Sequence, residues 1–166
     1  MDIETWLGDI TELEVDAIVN AANERLAPGA GVCGAIHAAA GPELAVECAR
    51  VGPCPTGDAR ATAGYALAAR WVIHAVGPRW GGGGDDKVEL LASAYRRSVE
   101  VADELGAESI AFPSISTGIY GFPQPLASQT AVAALRSLEP VSVQRCVLVA
   151  YDAETLGVLH GALSEG

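Results

Sequence analysis

Two stretches of this chain carry residue types at spacings suited to chemistry, and both look able to hold an anion. In the first, Asn20 and Asn23 follow the β-prone run Ala17, Ile18 and Val19, at the point where a strand would leave a sheet. Gly29, Gly31 and Gly34 come next and let the backbone approach a ligand, and a helix can start over 32–40. The unpaired N–H groups at such a helix start, with the positive end of the helix dipole behind them, hold an anion. The second stretch is 113–121, PSISTGIYG, a glycine- and hydroxyl-bearing loop after the strand expected over 109–112. In open α/β sheets ligands bind beyond the carboxyl ends of the strands, so two such loops, each followed by a helix, could clamp a diphosphate.

The glycine pattern by itself has other readings. No Lys or Ser/Thr follows the glycines as a P-loop requires, and no acidic ribose residue stands at the distance the dinucleotide fingerprint demands. The same glycines also suit a tight turn with close helix–strand packing and no ligand. Cys33 has three readings: a small packing residue, a nucleophile or oxidation sensor at a helix start, or a side chain short enough to leave room for a water. Asp9 precedes Glu12 by three residues, a helix-capping signature, and Asn23 just after a strand is of the type that bonds its own backbone in a turn.

These residues must be positioned by alternating strands and helices. Ile3, Thr5 and Leu7 alternate with polar neighbours and predict a first strand ended by Gly8; 17–21 predicts the second. Helices are expected over 32–40 and, after Gly41-Pro42, over 43–51; strands over 58–62, at an edge, and 71–76. His74 in that last run reads as a hydrogen-bonded core histidine. Gly81–Gly84 predicts a mobile loop, and Asp85 or Asp86 is expected to cap the longest helix, whose Arg96, Arg97 and Glu100 read as a solvated face. A helix over 126–138, a strand over 143–151 and a helix over 154–163 complete a single three-layer α/β/α domain spanning 1–166, with no internal repeat or linker.

Composition bounds the function. With 166 residues, half of them hydrophobic, the chain can bury a full core. Its formal net charge of −11 argues against nucleic acid as a partner, because phosphate backbones are bound mainly through Lys and Arg. A phosphorylated small molecule would therefore be held by backbone N–H groups. The N-terminal stretch has no secretory pattern, and no run of about 18 apolar residues could span a membrane. Cys33, Cys48, Cys54 and Cys146 form no zinc spacing, so reduced thiols, a cytoplasmic location and no metal or other cofactor are expected.

Five motifs, GDIT (8–11), DAIVNAAN (16–23), GAGVCGAIHAAAG (29–41), VIHAVGP (72–78) and SIAFPSISTGIYG (109–121), cover the chain almost end to end. Through them the chain resembles the macro domains, and within these the MacroD-type ADP-ribose hydrolase branch. The resemblance implies a central mixed sheet and an ADP-ribose cleft. Asp9, with Ile10 beside it, would accept from the adenine amino group and Tyr151 would pack on the adenine; Gly31 and Val32 would offer N–H groups to the diphosphate. Ser116, Thr117, Gly118, Ile119 and Tyr120 would close over it, and Asn23 would bond the distal ribose. The MacroD-type pattern reads GGGVD where this chain has Gly29-Ala30-Gly31-Val32-Cys33, so no carboxylate stands where that branch has one. Alphavirus macro domains, which also remove ADP-ribose, are similar to this chain in carrying GVC there. The implied activity is hydrolysis of mono-ADP-ribose from Asp or Glu side chains, with Asn23 and Cys33 the residues nearest the chemistry; O-acetyl-ADP-ribose is an equally allowed substrate, and binding without turnover is the alternative.

Overall fold

The computed structural model describes residues 1–165 as six strands, five helices and one short 3₁₀ turn. The elements run β1 (Asp2–Leu7), the 3₁₀ turn (Ile10–Glu12), β2 (Ala17–Ala21), α1 (Gly31–Ala40), α2 (Glu43–Val51), β3 (Ala59–Ala63), β4 (Trp71–Ala75), α3 (Asp85–Glu104), β5 (Ser109–Phe112), α4 (Gln124–Arg136), β6 (Arg145–Ala150) and α5 (Ala153–Ser164). One mixed sheet has the order β1-β6-β5-β2-β4-β3. That order places β3 at an edge, as its sequence suggested, and every neighbouring pair is parallel except β3 with β4.

Side chains on successive strand residues point to opposite faces, and the central strands are apolar on both. Ala17, Val19, Ile73, Ile110, Phe112, Cys146 and Leu148 enter the core shared with α3, α4 and α5. Ile18, Val72, Ala111, Val147 and Val149 enter a second core roofed by Ile36 of α1 and by Leu44 and Cys48 of α2. Helices on both faces of one sheet make the three-layer α/β/α sandwich that the alternation of elements predicts.

Several boundaries differ from the sequence expectation, each for a local reason. The last strand starts at Arg145 rather than 143, because the N–H groups of Ser142 and Val143 donate to the Asp103 carboxylate at 2.6 and 3.0 Å instead of joining the sheet. The 3₁₀ turn after Asp9 is only three residues long. α4 begins at Gln124 and ends at Arg136, two residues earlier at each end than its periodicity suggested. Neither Asp85 nor Asp86 caps α3; the N-cap is Gly84, and no side chain caps that end. Arg97 is not merely solvated: its Nε donates to Asp58 at 3.1 Å, and Arg60 reaches the same carboxylate at 2.7 Å, which ties α3 to the start of β3. The Gly81–Gly84 tract forms a turn closed by Gly83 N–H to Trp80 O at 2.8 Å.

Candidate ligand-binding cleft

Because β1, β2, β4, β5 and β6 are mutually parallel, their carboxyl ends share one edge of the sheet, and the loops leaving them enclose a cleft of about 1020 Å³. Asp9 and Ile10 reach it from the exit of β1; Asn23, Gly31, Val32 and Cys33 from that of β2; Ser116, Thr117, Gly118, Ile119 and Tyr120 from that of β5; and Tyr151 from that of β6. Every site residue proposed from the sequence therefore lines one cavity. Gly77, Arg79, Phe122 and Gln124 also line it and were not anticipated. The signal that could have found Gly77 and Arg79 is the GP pair after an apolar strand, which marks an exit loop like the other two.

The loop after β2 is held by one side chain. The Asn23 amide donates from Nδ2 to Ala27 O at 3.0 Å, and its Oδ1 accepts from Ala27 N at 3.1 Å. Asn23 thus does what a turn asparagine does while remaining part of the cleft wall. At Gly34 a Cβ would stand 2.6 Å from Gly29 O, so only glycine lets α1 pack against its own entry loop. The N-cap, Ala30, has no side-chain acceptor, and the first-turn N–H groups face the cleft without a cap.

The loop after β5 is held by main chain and by shape. Phe122 N donates to Ser116 O at 2.9 Å, and Gly121 N donates to Gly118 O at 3.0 Å. Ser116 adopts φ +68°, a conformation of order 1 kcal/mol or more unfavourable for a non-glycine residue, and its buried Oγ has no partner among the described residues. A Cβ at Gly77 would stand 2.2 Å from that Oγ and 2.5 Å from Ile115 Cγ2, so the exits of β4 and β5 touch at this point. Trp80 N donates to Tyr120 O at 2.8 Å and the Trp80 ring packs on Phe122 at 4.6 Å.

At the far end, Asp9 caps the 3₁₀ turn through Oδ1, which accepts from Thr11 N at 2.9 Å and Thr11 Oγ1 at 2.7 Å; Oδ2 carries no bond to the protein among the described residues. Tyr151 is 76% exposed, and Ile119 is 88% exposed on the opposite loop. Such exposed apolar groups at a cavity mouth suit a planar or apolar ligand surface.

Beneath α1 lies a buried polar cluster. His74, fully buried and paired in register with Asn20, accepts at Nδ1 from Asn20 Nδ2 at 3.1 Å and donates from Nε2 to Thr62 Oγ1 at 2.9 Å, whose hydroxyl donates to Ala63 O at 3.2 Å. That arrangement is the neutral ring, and burial first, then the nearby His37, pushes the His74 pKa down to about 3. The core histidine expected from sequence is thus fully satisfied. Burial pushes the Cys48 thiol beside it up to about 11. Cys33 is 5% exposed; its Sγ accepts weakly from Asn20 Nδ2 at 3.6 Å and lies 3.8 Å from Ala27 O. All four cysteines are free thiols. No group of three or more His, Cys, Asp or Glu suited to a metal ion occurs among the described residues, and no helix there is long and apolar enough to cross a membrane.

Comparison with known proteins identifies this architecture. A family model described as Macro domain matches residues 19–131. A macro domain-containing protein of Methanosarcina mazei is 48% identical over 165 residues, spanning 98% of this chain and 88% of its own. Among solved structures, the Oceanobacillus iheyensis macrodomain with ADP superposes with a TM-score of 0.93 at 37% identity, covering 98% of this chain and 90% of that one. The Trypanosoma brucei macrodomain in complex with ADP-ribose gives 0.90 at 37% identity, covering 97% and 68%. The chain belongs to the macro domain family.

Proposed function

We propose that the cleft binds ADP-ribose and hydrolyses mono-ADP-ribose from modified Asp and Glu side chains in the cytoplasm. The observation that carries this reading is the pair of facing loops: an uncapped helix start on one side and, on the other, a strained loop with the unpartnered Ser116 Oγ. Together they offer main-chain and hydroxyl donors to a diphosphate in a protein of charge −11. The neighbours with ADP and ADP-ribose support the same ligand. Asp9 Oδ2 is the free acceptor for an adenine amino group, and Tyr151 the exposed ring for its face.

In the hydrolysis, water attacks the anomeric carbon of the distal ribose, the bond to the ester oxygen breaks, and the Asp or Glu leaves as a carboxylate. Asp9 is the only carboxylate lining the cleft among the described residues, and it stands at the adenine end of this reading. With Cys33 where the MacroD-type pattern has a carboxylate, the ligand's own phosphate is the base that takes the proton from water. Asn23 orients the ribose, and holding water and ribose in attack geometry supplies much of the rate. The same cleft accepts O-acetyl-ADP-ribose. Absence of a carboxylate beside Cys33 also favours a second reading, a module that binds ADP-ribose without cleaving it.

Single-turnover release of ADP-ribose from a glutamate-modified protein separates the two. Release by wild type, retained in Cys33→Ala and lost in Asn23→Ala at matched stability, is expected. Bound ADP-ribose with an intact modified substrate after hours would make the protein a binding module.

A further inference from the structure

We propose that Arg79 is a specificity-determining residue of the cleft, a side-chain cation that selects ligands carrying a diphosphate over uncharged nucleosides. This rests on the ADP-ribose reading above. Arg79 is the only basic residue lining the cavity among the described residues, in a chain with a net charge of −11. It forms no ion pair there. Its guanidinium instead rests over the Tyr120 ring, 4.8 Å from the centroid, and its side chain is exposed. The backbone beside it is fixed, because Trp80 N bonds Tyr120 O and the Trp80 ring packs on Phe122. A cation anchored at its base, free at its head and stacked on a residue of the anion-facing loop is poised to exchange a cation–π contact for stronger charge-assisted hydrogen bonds to phosphate oxygens.

Titration calorimetry with adenosine, AMP, ADP and ADP-ribose at low and high salt tests this on wild type, Arg79→Gln and Arg79→Lys. Arg79→Gln is expected to weaken ADP and ADP-ribose about fivefold at low salt and less at high salt, to leave adenosine unchanged, and to leave the melting temperature unchanged. Arg79→Lys, which keeps the charge, should recover most of the loss. An equal loss for adenosine, a Lys variant as weak as Gln, or wild-type affinity for ADP-ribose in Arg79→Gln would each overturn the assignment. Wild-type protein that fails to bind ADP-ribose would instead overturn the underlying reading, and this proposal with it.

Discussion

The two loops that form the walls of the cleft reach similar chemistry by opposite means. Apart from the close approach of Gly34 to Gly29 O, the loop after β2 is open and lightly held: Asn23 clips it through Ala27, and Cys33 and Asn20 connect the start of α1 to the neutral His74 underneath. The loop after β5 is crowded and over-determined, with Ser116 held in the left-handed region between Gly77 and Phe122 and its tip bonded to Trp80. A backbone anion site can therefore rest either on a few polar side chains or on main-chain bonds and steric contact. The first kind should respond to pH and to side-chain deletion, the second to added volume.

Gly77→Ala should have the largest effect, because its Cβ would overlap Ser116 Oγ and Ile115; a loss of about 2–3 kcal/mol in urea unfolding, with much weaker ADP-ribose binding, is expected. Acid should act on the other side. His74 is neutral in the fold with its pKa near 3 against an ordinary 6.5, so the unfolded chain binds the extra proton; its contribution is complete above 6.5 and is lost as pH falls toward 3. The unfolding free energy should drop by about 2 kcal/mol from this group between about pH 6.5 and pH 5, and His74→Gln should remove that share of the slope. Asn23→Ala removes two half-buried hydrogen bonds and should lower stability by about 1 kcal/mol in thermal melts. Gly29→Ala should be nearly silent, within about 0.5 kcal/mol, since its Cβ would meet nothing closer than Cys33 Sγ at 3.8 Å. If Gly29→Ala were as damaging as Gly77→Ala, the contrast between an open and a crowded loop would fail.

What was legible in the sequence is what short-range physics controls. An apolar run, an asparagine exit, glycines and a helix start lie within about 25 residues of one another and need no distant partner to be read, so the loop after β2, the loop after β5 and the layered fold could all be anticipated. Asp9 as a cap and His74 as a satisfied core histidine are equally local readings, and both hold. The motifs extended this to a family, because several of them occur in one order.

Only the tertiary structure decided how those pieces meet. Parallel pairing of β4 with β2, across more than fifty residues, brings Gly77 and Arg79 to the same edge as the two glycine loops; the GP pair marks an exit loop but not which strand its neighbour is. The carboxylate of Asp103 stops the last strand short from about forty residues away, and Asp58 turns the apparently solvated Arg97 into a tie between α3 and β3. Local propensity selects an element and its exit; which side chains then face one another depends on sheet order, a global compromise of packing on both faces that no single stretch encodes.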